Sequence, residues 1–542
     1  MTAILLQAGL FRELSSFAGS SGLLVTVLLF GWLLSASMGS GLGRRLYRDG
    51  AGWDPTLLLG LASILYLPLS RGFGFLVFQH IGNTVPIYLL VPFFLTVLFP
   101  PAFLAGWSFS YLARQSREPR IVYGMEGIGA FAGGLVTLAT IGGGSMVFPP
   151  VLIGGILAGV RSRGWKWLLI PITIIIALLI FAFPVAWLQS DFFPDAEILK
   201  RRELQSGRAF VAEMGGERYL YVNSELHGTS GDSLSAQLWA YPALIQYSGG
   251  RVLVSGGWTS GIVKEAGRIC SDGIVYHASD AGELELLQTF FPEHSAQTEF
   301  RTGSLVRAMD DGDLGMIILA PNFPGDIHSA MMYSLKSIET MKGRLRPHGR
   351  LAIYLSVGQN SLTAGEHLFT SSLVRTMEAV FSNVQVIRLS GTVLIAARPD
   401  GKDMNLRQSL IDTRLPDSLY YSQQDMLFEI DPIRQQFFMA ELSREKGNVI
   451  RGSIGYLMGL SRFLRLSDIN VSPGRLADLS KNLGRTVILV GMVFLFWTLF
   501  TLRRKTVRLA YISGFWAMGT EIFLLLLFHQ RYGNLYYVFG LL

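Results

Sequence analysis

The sequence predicts a multi-span α-helical membrane protein that carries an inserted, doubly wound α/β domain preceded by a small β-hairpin domain. Three observations predict this. Half of the 542 residues are hydrophobic, only 16% are charged, and mean hydropathy is +0.39. The apolar residues concentrate before about residue 190 and after about residue 485, around a mixed, charge-bearing middle. In that middle, Arg251-Val-Leu-Val-Ser-Gly-Gly-Trp-Thr-Ser-Gly261 runs from an aliphatic stretch through a glycine turn into a helical pattern at Ile262, Val263, Ala266 and Ile269. Strand, tight turn and helix open a nucleotide-binding βαβ unit. A working site needs small residues throughout that turn. Trp258 stands inside it, so the site is expected to be filled in.

Charge excludes one function class. The net charge of +7 comes largely from Arg and Lys in short loops between apolar stretches, the distribution expected of a membrane protein and not of a nucleic-acid binder. Cysteine usage excludes another. Cys270 is the single cysteine, so there is no intrachain disulfide framework and no cysteine metal cluster. It falls in the helical pattern after the glycine turn, as a small core residue would.

In chain order, residues 1–19 form a short or tilted first helix interrupted by Arg12 and Glu13, without the basic start or cleavage site of a signal peptide. Residues 22–42 are a span ending in Gly39-Ser-Gly-Leu-Gly43, small residues that let helix backbones approach closely. Further spans are predicted at 54–72, 86–112, 122–141, 145–161 and 167–188. The Pro100-Pro101 pair should kink the 86–112 span. Gly127, Gly129, Gly133 and Gly134 mark a packing face. Two more spans are predicted at 485–502 and 509–528. The final segment loosely repeats the opening pattern of apolar helix, charged break with glycine and second apolar run.

Basic residues orient these spans. Arg44, Arg45 and Arg48; Arg114, Arg117 and Arg120; Arg161, Arg163 and Lys166; and Arg503, Arg504, Lys505 and Arg508 all fall on one side if the spans alternate. That side should be cytoplasmic. The 190–484 region is then extracytoplasmic, in the periplasm for a cell with an inner membrane.

The aqueous region begins with a hairpin, Ala209–Met214 and Arg218–Asn223 around Gly215-Gly216. Strands are expected at 252–254, 274–276, 316–319, 351–355, 384–389 and 393–396, and helices at 261–270, 281–290, 328–345 and 364–381. Such alternation means a mainly parallel sheet. The domains are thus 1–190 (transmembrane), 191–235 (linker and hairpin), 236–400 (α/β), 401–484 (irregular extension) and 485–542 (C-terminal helices).

At this point the chain resembles the spermidine synthase family, the polyamine aminopropyltransferases, over roughly 205–398. More closely, it resembles bacterial membrane-embedded spermidine-synthase-like proteins. Leu220-Tyr-Val-Asn-Ser-Glu-Leu226 is similar to the family's β-domain. Arg12-Glu-Leu, Gly19-Ser and Tyr123-Gly-Met-Glu-Gly-Ile-Gly-Ala-Phe-Ala-Gly-Gly134 are similar to the membrane half of the second group. The resemblance implies a Rossmann-like fold of methyltransferase and spermidine-synthase type. It also implies a set of acids that this chain lacks. Where the family turn resembles Gly-Gly-Gly-Asp-Gly-Gly, this one has Gly256, Gly257, Trp258, Thr259, Ser260 and Gly261. The ribose-binding glutamate corresponds to Ala278, with only Asp280 kept after it. The adenine-side Gly-Asp pair corresponds to Gly303-Ser304, the catalytic aspartate to Ala320 and a post-hairpin glutamine to His227. Alanine can neither accept a proton from the attacking amine nor hold a polyamine cation. No cofactor is therefore expected.

Other candidates are weaker. His227, His277, His294, His328, His348 and His367 show no metal-type spacing. His277 ends the second strand at the old ligand mouth. Asp310, Asp311 and Asp313 fit a solvated loop. Arg12, Glu13, Glu126 and Glu521 are ionisable residues in apolar stretches, candidates for membrane or partner contacts. The leading expectation is a non-catalytic membrane subunit with an extracytoplasmic docking domain. It would work with the lipid bilayer and another membrane subunit or an exported protein. An aminopropyl- or methyl-transferase and a polyamine or small-solute transporter are the alternatives.

Overall fold

The computed structural model describes most of residues 1–450 and, beyond them, only Met492. Segments outside the described residues include 19–21, 49–53, 78–86, 142–147, 163–166, 176–195, 257–260, 293–297, 310–312, 321–326, 414–421 and 444–446, with a few single and paired positions. The predicted spans at 485–502 and 509–528 lie outside them, as does Glu521.

The chain divides into two compact units, with a boundary between His227 and Gly228. Among the described residues the first unit holds the helices α1 (Thr2–Ala18), α2 (Gly22–Arg48), α3 (Pro55–Val77), α4 (Ile87–Gln115), α5 (Pro119–Ile141) and α6 (Phe148–Arg161), and part of the predicted 167–188 span lies outside them. α4 passes Pro92, Pro100 and Pro101 without ending. Among the described residues one helix, Leu90–Gln115, is long and apolar enough to cross a membrane; Thr2–Phe11, Val27–Gly43, Pro55–Tyr66 and Pro149–Arg161 are shorter apolar helices.

Helices α2 and α4 run parallel and in contact, because glycine lets them. A Cβ on Gly39 would stand 2.0 Å from the Phe103 carbonyl oxygen, one on Gly106 1.9 Å from the Ala36 oxygen, and one on Gly43 2.4 Å from the Trp107 ring. Gly60 and Gly154 make the same kind of seam between α3 and α6. The glycine face expected on α5 at Gly127, Gly129, Gly133 and Gly134 is partly met. Gly129 and Gly133 meet Met1 and Ile4, whereas Gly127 meets nothing within 4 Å.

Contacts between helix ends fix their direction. Arg161, closing α6, pairs with Asp54 just before α3 at 3.8 Å. The Ser108 hydroxyl near the end of α4 donates to the Pro55 carbonyl at 2.8 Å. Ser40 and Ser110 hydrogen-bond at 2.7 Å, joining the C-terminal portions of α2 and α4. Positions 44–48, Arg114 and Arg161 therefore lie at one end of the helical bundle.

A four-stranded antiparallel sheet follows: β1 (Glu197–Leu204), β2 (Gly207–Met214), β3 (Glu217–Val222) and β4 (Glu225–Thr229), in that order. The β2–β3 hairpin turns at Gly215 and Gly216 with φ of 62° and 82°, the left-handed pair a two-residue hairpin needs. β1 and β4 extend the predicted hairpin on both sides.

The second unit is a seven-stranded sheet. Its strands are β5 (Arg251–Ser255), β6 (Ile274–Ala278), β7 (Thr298–Thr302), β8 (Leu314–Leu319), β9 (Leu345–Ser356), β10 (Val384–Leu389) and β11 (Thr392–Ala397). Their spatial order is β10-β11-β9-β8-β5-β6-β7. Strands β7, β6, β5, β8 and β9 are parallel, and β11 is antiparallel to both its neighbours. The helices are α7 (Ser233–Leu244), α8 (Ile262–Ile269), α9 (Ala281–Phe290), α10 (Leu305–Ala308), α11 (Ile327–Met332), α12 (Leu335–Arg344) and α13 (Ala364–Val380). β6, β8 and β11 are buried at every position, as central strands covered on both faces are.

The helix expected over 328–345 is two helices, because the Leu335 N–H is taken by the Ile450 carbonyl at 2.9 Å and the chain turns at Ser334. The extension, for which the sequence offered no motif, has a definite seat on the α/β domain. It forms α14 (Leu406–Asp412), α15 (Gln423–Glu429) and α16 (Pro432–Ser443). Gln435 of α16 accepts from the Arg388 N–H at 2.8 Å and donates to the Arg388 carbonyl at 2.9 Å, covering the open edge of β10. Asn448 and Ile450 then donate to the Ser372 and Thr376 hydroxyls of α13, at 3.2 and 2.9 Å.

Candidate functional site

The chain winds from β5 outward to β6 and β7, then returns to the other side of β5 with β8. Doubly wound folds bind ligands at this reversal, outside the carboxyl ends of the strands. Ser255 and Gly256 end β5 there, and Ala320 follows β8. The Ala320 N–H donates to the Ser255 carbonyl at 2.9 Å. Gly256 has φ of 79°, and a Cβ on it would stand 3.6 Å from the Ala320 Cβ. Gly261, with φ of 76°, starts α8. Gly257, Trp258, Thr259 and Ser260 lie outside the described residues.

Around this mouth the structure brings together Gly256, Gly261, Ala278, Asp280, Gly303, Ser304 and Ala320. Ala278 and Ala320 are buried. Asp280 is the N-cap of α9, its carboxylate accepting from the Gly282 N–H at 2.6 Å. Gly303 has φ of 97°, and its N–H donates to the Ala278 carbonyl at 3.2 Å. Ser304 precedes α10 without a side-chain cap bond. The three positions where the resemblance implies acids beside ribose, adenine and amine thus carry two methyl groups and a hydroxyl.

His277 is 4% exposed and fixed at both ring nitrogens. A carbonyl only accepts, so Nε2 carries the hydrogen and donates to Gly303 O at 2.8 Å. In the neutral ring Nδ1 then accepts from the Ser255 hydroxyl at 3.0 Å. The side chain ties the ends of β5, β6 and β7 together.

One acid at this mouth escaped sequence reasoning. Glu283, in the first turn of α9, is pushed up to about 7 by burial and by Asp280. The spacing of Asp280 and Glu283 suggests only helix capping; the raised Glu283 depends on burial that the fold creates. Cys270 is buried, and burial with Asp272 nearby raises its thiol to about 12, in keeping with a core residue.

The remaining candidates lie apart. His227 is on β4. His348 pairs with Asp400 at 3.0 Å, and His367 donates to the Glu441 carbonyl at 2.7 Å. Asp313 accepts from Arg346 at 2.9 Å, while Asp310 and Asp311 lie outside the described residues, as does His294. Among the described residues no group of three or more His, Cys, Asp or Glu is placed to hold a metal ion. Arg12 and Glu13 fall in α1 and Glu126 in α5.

The sequence matches no protein-family model and no curated protein. Among solved structures, the chain is similar to the spermidine synthase from Thermotoga maritima, at 12% identity over 46% of this chain and 88% of that one, with a TM-score of 0.38. It is similar to a probable spermidine synthase from Corynebacterium glutamicum at 14% identity, over 41% and 88%, with a TM-score of 0.32. It is also similar to human methyltransferase-like protein 13 in complex with SAH at 17% identity, over 36% and 97%, with a TM-score of 0.25. The strand order and the antiparallel β11 themselves make the second unit a Rossmann-like α/β domain of the methyltransferase and spermidine-synthase type.

Proposed function

We propose that this chain is a non-catalytic, multi-span subunit of the inner membrane whose α/β domain lies on the periplasmic side and serves as a docking surface. The observation that carries the reading is the trio of Ala278, Ser304 and Ala320 at the mouth of an otherwise intact sheet. A transferase of this type needs acids to orient a cationic amine and take its proton. The clustering of positions 44–48, Arg114 and Arg161 at one end of the helices supports a cytoplasmic location for that end. Its partners are another membrane subunit or an exported protein, in addition to the bilayer. Mild-detergent purification of the tagged, natively expressed chain tests this. Stoichiometric companions identified by mass spectrometry support it, and a chain that is always solitary counts against it.

Asp280 and Glu283 favour a second reading, a site that still takes an adenosyl thioether for aminopropyl or methyl transfer. It predicts saturable binding that Asp280→Ala abolishes.

A further inference from the structure

The face of α16 that turns away from β10 is apolar and open. Phe437 is 74% exposed, Ile433 63% and Phe428 of α15 66%. Ile433, Phe437 and Ala440 fall at spacings of four and three, one stripe of the helix, while Phe438 and Leu442 on the other side are buried. Aqueous domains seldom expose aromatic residues in such a group unless something covers them. Charges flank the stripe on one side only: Arg434 and Glu441, one heptad apart.

We propose that α16 is the contact surface for a second copy of this chain, packed antiparallel about a two-fold axis near Phe437. A two-fold contact must be self-complementary. An antiparallel mate lays the same flank against itself in reverse, which sets Arg434 of one copy beside Glu441 of the other, in both directions. Ile433 and Phe437 of each copy fill the space between. A bilayer surface would instead favour basic flanks, and here cation and anion alternate: Arg434 also lies near Glu429 at 3.6 Å, and Arg388 near Glu441 at 3.9 Å. The contact does not depend on what the mouth of the sheet binds.

Disulfide trapping tests this on the full chain reconstituted in nanodiscs or native membranes. Cys270, the chain's single cysteine, is buried, so Phe437→Cys supplies one accessible thiol. Mild oxidation should give a species of twice 59.8 kDa, whereas Ser235→Cys on α7 should not. Phe437→Arg should raise the dimer dissociation constant on the order of 30-fold by native mass spectrometry. Arg434→Glu and Glu441→Arg should each weaken the dimer, and the double variant should restore it. A monomeric wild-type chain, or failure of Phe437→Cys to cross-link, overturns the proposal. Phe437→Trp fluorescence quenched by brominated lipid overturns it too and assigns the face to the bilayer. Companion proteins bound equally by wild type and Phe437→Arg would leave the docking function standing elsewhere on the domain.

Discussion

The two units pack by opposite rules. Where α2 meets α4, side chains are removed: Gly39 and Gly106 put backbone against backbone, and a single added methyl would overlap a carbonyl oxygen. Across the seven-stranded sheet, side chains fill the space: Ile317, Ile318, Ile353, Tyr354 and Ile395 are fully buried among their neighbours. The first arrangement suits helices that gain little from burying more apolar surface against one another. The second is driven by removing that surface from water. Substitutions should therefore fail in opposite directions, by overfilling in one unit and by emptying in the other.

The largest effect should come from Gly39→Val, which must separate α2 from α4 and cost at least about 3 kcal/mol. Thermal unfolding in detergent would read it, with Gly41→Ala, which meets nothing within 4 Å, as the near-neutral control. Ile317→Ala should cost about 3 kcal/mol through the cavity it leaves, measured by denaturant unfolding. If Gly39→Val were tolerated and Gly41→Ala were not, the contrast would be wrong.

The mouth sharpens the comparison, because there burial and the neighbouring Asp280 raise the pKa of an acid in the first turn of α9. The Glu283 pKa is raised from 4.5 to about 7. Its contribution is therefore fully present below about pH 4.5 and lost as pH rises through about 7. Glu283→Gln should leave stability nearly unchanged at pH 4.5 and raise it at pH 8 by on the order of 2 kcal/mol. A variant that is destabilising at pH 8 would contradict the raised pKa. The smallest effect is at α13, where Thr363 and Glu366 form a capping box, with bonds of 3.3 and 2.8 Å. Thr363→Ala should cost about 1 kcal/mol by thermal unfolding.

Much of this was legible in the sequence, for identifiable reasons. Long apolar stretches mark α2 to α6, although α2 runs on to Arg48 and α3 to Val77, each five or six residues beyond the predicted end. Gly215-Gly216 marks the hairpin. Aliphatic runs mark the central strands β5, β6 and β8. What stayed hidden depends on contacts distant in sequence. β1, Glu-Ile-Leu-Lys-Arg-Arg-Glu-Leu, is too charged to signal a strand, and β7, Thr-Glu-Phe-Arg-Thr, is a half-exposed edge. The break at Ser334 comes from Ile450, more than a hundred residues away. At the site, the missing acids at Ala278, Ser304 and Ala320 could be named from the resemblance alone. The Ser255–His277–Gly303 tie and the raised Glu283 could not, because both depend on strand register and burial.

The proposed reading requires that this mouth bind no adenosyl thioether. Calorimetric titration of the full chain with 5′-methylthioadenosine tests it most directly. The account predicts no saturable heat up to millimolar ligand. Saturable binding that is lost in Asp280→Ala and unaffected by Phe437→Arg would contradict it and favour the transferase reading.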